Sequence, residues 1–107
     1  MPSREYEIPL DFGVSLRVRQ TTSRGLVETF TVQLELYHEG RWYPVIRYDN
    51  AHGEAHIDYL DPAGVTYQKE WLNIRWPFNS ALTQAREELE EDYQRHIDHF
   101  MLQMEAR

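Results

Sequence analysis

Residues 47 to 58 read RYDNAHGEAHID and hold the densest group of reactive side chains in the chain: Arg47, Asp49, His52, Glu54, His56 and Asp58. An arginine with two histidines is the set that general acid–base cleavage of a phosphodiester needs. One imidazole removes a proton, the other returns one, and the guanidinium grips the phosphate with two parallel N–H donors. The same residues also supply metal ligands. His52 and His56 with Asp49 or Asp58 offer imidazole and carboxylate donors of the kind that suit zinc, iron or manganese. A bland reading stands beside both, because outward positions of a half-solvated sheet are polar by default and exposed ion pairs contribute little.

Two other groups are weaker. Asp92, His96 and His99 are three and four residues apart on a predicted helix and within mutual reach, but His96 falls on the apolar stripe, where a histidine is more often a core residue. Trp42, Trp71, Trp76 and Phe78 could form a stacking platform, although large aromatics in a short chain usually fill the core, and Trp42 falls on the core face. The run REELEEDYQR reads as a solvated helix face. No phosphate-binding glycine loop, nucleophile elbow or zinc-finger spacing is present.

The sequence has 107 residues, 41% of them hydrophobic and 27% charged, with no cysteine. That is enough for one core and one domain. Thiol catalysis, disulfides and thiolate-held zinc are excluded. A formal net charge of −7 disfavours a broad nucleic-acid surface while leaving room for a local anion site. Absence of a long apolar run and of a signal-like N-terminus leads to the expectation of a cytoplasmic protein with no membrane span.

The elements that must position these residues are strands followed by one helix. Val14, Leu16 and Val18 alternate with Ser15, Arg17 and Arg19, the period of a half-buried strand. Tyr6, Ile8, Leu10 and Phe12 alternate ahead of them, with a bend or bulge expected at Gly13 and an edge position implied by Pro9. Further strands are expected at VETFTVQLELY, RWYPVIRYD, EAHIDYL and VTYQKEWL, joined by the turns TSRG, YHEG, NAHG and DPAG. Three-residue loops closed by glycine would place Val18 opposite Phe30, Leu16 opposite Val32, Leu36 opposite Trp42 and Val32 opposite Ile46. A four-residue loop at Asn50 to Gly53 would place Ile46 opposite Ile57 and Arg47 opposite His56, with Asp49, Glu54 and Asp58 on the same outer face.

Beyond Pro77, Asn79 or Ser80 can cap a helix. Leu82, Ala85, Leu89, Tyr93, His96, Ile97, Phe100 and Met104 fall on one stripe of it. The fold class expected is α+β: an antiparallel meander of five to six strands over 1–75 and one long helix over 79–105 packed on one face, in a single domain 1–107. The helix should overhang the sheet, and its apolar last turns, Met101, Leu102 and Met104, predict a homodimer through that helix.

Arg47, Tyr48, Asp49, Asn50 and Ala51, followed by His52 and His56, resemble the RYDNA-plus-histidine signature of TumE-type toxins of toxin–antitoxin modules, and similar RYD-AHG hairpins occur in uncharacterised small bacterial families. The resemblance covers about a dozen residues. It implies a small α+β ribonuclease-like protein with catalysis carried by Arg47, Asp49, His52 and His56, RNA as substrate and an antitoxin-like protein as partner. Asp58 and Glu54 are the flanking ligand-binding candidates. A non-catalytic homodimeric interaction module is the alternative. No cofactor is expected beyond a divalent metal at His52 and His56.

Overall fold

The structure is a computed structural model, described here for residues 2–106. Six strands, β1 (Ser3–Asp11), β2 (Val14–Ser23), β3 (Leu26–His38), β4 (Arg41–Asp49), β5 (His56–Leu60) and β6 (Thr66–Trp71), precede one helix, α1 (Asn79–Glu105). All neighbouring strands are antiparallel, and the sheet order is the chain order. The α+β architecture expected from the sequence is the one observed. Among the described residues no helix is long and apolar enough to cross a membrane.

Alternation along the strands sorts the side chains onto two faces. On the inner face, one cross-strand row runs Ile8, Leu16, Leu34, Ile46, Tyr59, and the next runs Tyr6, Val18, Val32, Tyr48, Ile57. Leu16, Val18, Val32 and Leu34 are fully buried there. The helix lies on this face over β3 and β4, burying Ala81, Leu82, Ala85, Leu89, Ile97 and Phe100. Phe100 meets the Tyr43 ring at 5.9 Å between centroids. Tyr48 crosses the core and donates from its hydroxyl to Glu88 Oε1 at 3.2 Å. Burial, then the Glu88 carboxylate, raise its pKa far above the usual phenol value, so it stays a neutral donor.

Three registers differ from those expected, by two residues except at Leu36, which lies before the bulge and is displaced by one. Val18 faces Val32 and Leu16 faces Leu34, not Phe30 and Val32. Val32 faces Tyr48 and Leu36 faces Tyr43, not Ile46 and Trp42. Ile46 faces Tyr59, not Ile57. The first two hairpins close on two residues, Arg24–Gly25 and Glu39–Gly40, with φ of 53° and 79°, and 49° and 81°. Such paired positive φ values define the tight turn whose twist suits adjoining strands. An extra residue, Glu28 in the first hairpin and Val45 in the second, then bulges within the ladder and completes the two-residue offset. Trp42 is half exposed beside Tyr37 and not in the core. Phe12, taken as the end of an apolar row, is fully exposed at the β1–β2 turn.

The helix starts without a side-chain cap. Asn79 is turned to another use: its Oδ1 accepts from Val27 N at 2.9 Å and its Nδ2 donates to Gly25 O at 3.0 Å, fastening the helix start to the β2–β3 hairpin. At the other end Met101 and Met104 pack against the core, leaving Leu102 as the exposed apolar side chain of the last turns.

Candidate functional site

The face away from the helix carries two polar rows that cross all six strands. One runs Glu7, Arg17, Gln33, Arg47, Asp58, Lys69. The other runs Glu5, Arg19, Thr31, Asp49, His56, Trp71. Arg47 therefore stands across from Asp58, and His56 across from Asp49, in place of the direct Arg47–His56 pairing expected. The loop between β4 and β5 is longer than the four residues inferred, spanning Asn50 to Ala55.

Asn50 fixes that loop. Its side chain is buried and reaches β3, accepting from Phe30 N at 3.0 Å and donating to Glu28 O at 2.9 Å. These backbone groups flank the bulge, where the regular ladder is interrupted and leaves them in need of partners.

His56 lies at the centre of the outer cluster and is only 2% exposed. Its Nε2 is 3.0 Å from Asp49 Oδ1 and 3.5 Å from Asp58 Oδ2. Its Nδ1 is 3.1 Å from the carbonyl oxygen of Glu54. A carbonyl only accepts, so Nδ1 carries the proton of that bond. Trp71 covers the imidazole at 5.1 Å between ring centroids, and Lys69 leans over the Trp71 ring while its Nζ lies 3.3 Å from Asp58 Oδ1. The lysine approach lacks hydrogen-bond geometry, and Asp58 Oδ1 is a buried oxygen with no hydrogen bond.

Beside this cluster, Arg47 donates from Nε to Gln33 Oε1 at 2.8 Å, and Gln33 Nε2 donates to Glu35 Oε2 at 2.6 Å. Glu35 also receives Arg17 Nε at 3.3 Å, and Arg17 reaches on to Glu5 and Glu7 at 3.0 Å each. Arg17 is consequently tied up, and its hydrogen bond, with that of Arg19, holds the Glu5 carboxyl below the usual carboxylate range. Arg47 differs. Among the described residues it is in no ion pair, and it borders a surface depression of about 210 Å³ with Arg17, Arg19, Thr31 and Gln33.

The six residues singled out from sequence thus separate. Asp49, His56 and Asp58 converge, and Arg47 flanks them on the depression. His52 is exposed in the turn and takes no part in the cluster, so the metal pair His52/His56 is replaced by a group built from Asp49, His56 and Asp58. Glu54 turns to Arg75, which it meets at 3.0 Å, and contributes its backbone carbonyl alone. Sequence reasoning does not single out Lys69 or Gln33 as site residues, and it names Trp71 only as a member of a stacking platform. Carrying the alternation through the DPAG turn would have set Lys69 and Trp71 on this face.

The second histidine group does not assemble. Asp92 pairs with Arg95, His96 faces the Tyr59 ring and His99 the Tyr67 ring. Burial, then nearby Arg95, lower the His96 pKa. These two histidines instead line an inner groove of about 310 Å³ with Tyr59, Tyr67 and Gln103.

A family model described as Domain of unknown function (DUF7718) matches residues 1–106. No curated protein and no solved structure matches the chain.

Proposed function

The chain belongs to the DUF7718 family, and we propose from its own residues that it is a toxin–antitoxin-related, ribonuclease-like protein that engages RNA phosphate on the outer face of the sheet. The observation that carries this reading is Arg47: a guanidinium half-buried on a sheet face, held at Nε by Gln33, with no carboxylate partner among the described residues. Its terminal nitrogens are left for a bidentate acceptor, which is the geometry phosphate offers. Neighbouring Arg17, Arg19 and Thr31 extend the depression without adding another unpaired cation. The net charge of −7 restricts binding to this local spot.

Within this reading His56 is a positioning residue, because a side chain 2% exposed does not reach substrate directly. It holds Asp49 and Asp58, and Asp49 is the member nearest solvent. Assay of RNA cleavage and growth arrest by wild type beside Arg47→Ala tests the proposal. Cleavage by wild type that is lost in the variant is expected. An inert wild type, or a variant that matches it, overturns it.

The burial of His56 also favours the second reading, a non-catalytic homodimeric module joined through α1. Leu102, 65% exposed at the end of the helix, is the side chain such a contact would cover. A monomeric mass in light scattering removes that reading.

A further inference from the structure

We propose that Asp49, His56 and Asp58 bind one divalent first-row transition cation. The inference is independent of the RNA reading above, since it rests on donor geometry alone. A metal about 2.0–2.2 Å from each nitrogen or oxygen donor holds neighbouring donors about 3.0 Å apart in octahedral and about 3.4 Å apart in tetrahedral geometry. His56 Nε2 stands 3.0 Å from Asp49 Oδ1 and 3.5 Å from Asp58 Oδ2, and one donor atom from each of the three residues lies within 4.8 Å of the others. The remaining edge, between Asp49 and Asp58, is within 4.8 Å, and Asp49 is the most exposed of the three side chains at 13%.

Two further observations point the same way. Nδ1 of His56 is bound to the Glu54 carbonyl, which orients the ring and leaves Nε2 as the ligand atom; histidines that hold metals are oriented in this manner by an outer partner. Asp58, 8% exposed, presents Oδ2 to Nε2 and keeps its other oxygen, Oδ1, without any hydrogen bond, although buried carboxylate oxygens normally find donors. Lys69 approaches that oxygen at 3.3 Å but supplies only one positive charge for two carboxylates. One imidazole and two carboxylates make a donor set suited to zinc, manganese or iron(II) more than to calcium, which takes six or more oxygens. Three protein ligands also leave positions open for water or an anion, and Arg47, opposite Asp58 in the ladder, would flank them.

The test is titration of metal-free protein with Zn²⁺ and, separately, Mn²⁺, followed by calorimetry and elemental analysis, for wild type, Asp49→Asn and His52→Ala. One ion per chain is expected for wild type and for His52→Ala, with affinity at least about tenfold weaker for Asp49→Asn. A wild type that retains no stoichiometric ion, or an Asp49→Asn chain that binds as tightly, overturns the proposal. A second readout needs no variant: substoichiometric Mn²⁺ should broaden the ring resonances of His56 before those of His38, His52, His96 and His99. Uniform broadening of all five histidines, or broadening centred on His96 and His99, overturns it equally.

Discussion

Asn50, at the end of β4, completes the hydrogen bonding of β3 next to Phe30: its carboxamide oxygen accepts the Phe30 N–H at 3.0 Å while its nitrogen donates to the carbonyl just before the pair, that of Glu28. Two elements of the hairpin framework are thereby joined by one side chain. Asn50→Ala strands a buried N–H and frees a carbonyl, so it should destabilise the protein by about 2 kcal/mol or more. Asn50→Asp can still accept but cannot donate, and it should recover only part of that loss. Urea unfolding midpoints at neutral pH check both; an Ala variant as stable as wild type would show that the contact does not hold the loop.

Arg47 separates charge from geometry. Arg47→Lys keeps a cation but loses the planar fork and the Nε donor to Gln33. The expected result is RNA binding that Lys restores by less than half relative to Arg47→Ala, with unchanged melting temperature in both. Full restoration by lysine would mean that phosphate is recognised as a point charge.

Lys69 competes with a cation for Asp58. Removing it takes away a positive charge 3.3 Å from Asp58 Oδ1, on a side chain 38% exposed. An interaction of about 0.5–1 kcal/mol at such a site corresponds to divalent-cation affinity about two- to fivefold higher in Lys69→Ala. Calorimetric titration against wild type reads this, and weaker binding by the variant would assign Lys69 a supporting role in place of a competing one.

His96 gives the fold an acid limb. Burial lowers its pKa in the folded chain below the ordinary value of about 6.5. Above that value the imidazole is neutral in both states and costs nothing. As the pH falls below it, the unfolded chain takes up a proton that folded His96 refuses, so stability is lost until the folded value is reached. Between about pH 7.5 and about pH 5.5 the urea midpoint of wild type should therefore drop further than that of His96→Gln. Parallel drops would exclude His96 as the cause.

Phe100 is 1% exposed against Tyr43 and anchors the second half of α1. Phe100→Ala should cost about 3–5 kcal/mol. Denaturant unfolding measures it, and a loss below about 1 kcal/mol would mean that the helix end is only loosely docked.

Periodicity carried most of the architecture. Val14, Leu16 and Val18 point inward as their alternation demands, Pro9 lies in an edge strand, and Leu82 to Phe100 form the buried stripe of α1. Pairing partners were less legible. Arg24 and Glu39 adopt positive φ without being glycine or asparagine, so nothing in their type announces a two-residue turn. Nor does sequence mark Glu28 and Val45 as the bulged residues. The site was consequently visible as a composition but not as an arrangement: Asp49, His56 and Asp58 stood out together, whereas the exclusion of His52 and the arrival of Lys69 depend on which residues face each other.

The outer rows, from Glu7 to Lys69 and from Glu5 to Trp71, expose an asymmetry in how this sheet is encoded. A hairpin sliding by two residues exchanges one inward apolar side chain for another and leaves the greasy side greasy, so the core discriminates poorly among even displacements. The polar side has no such tolerance, since the same slide moves His56 away from Asp49 and Arg47 away from Asp58. Alignment is therefore entrusted to small local devices, the tight turns, the bulges and the Asn50 clamp. Mutations there can disperse Asp49, His56 and Asp58 while the protein, though less stable, still folds and melts cooperatively.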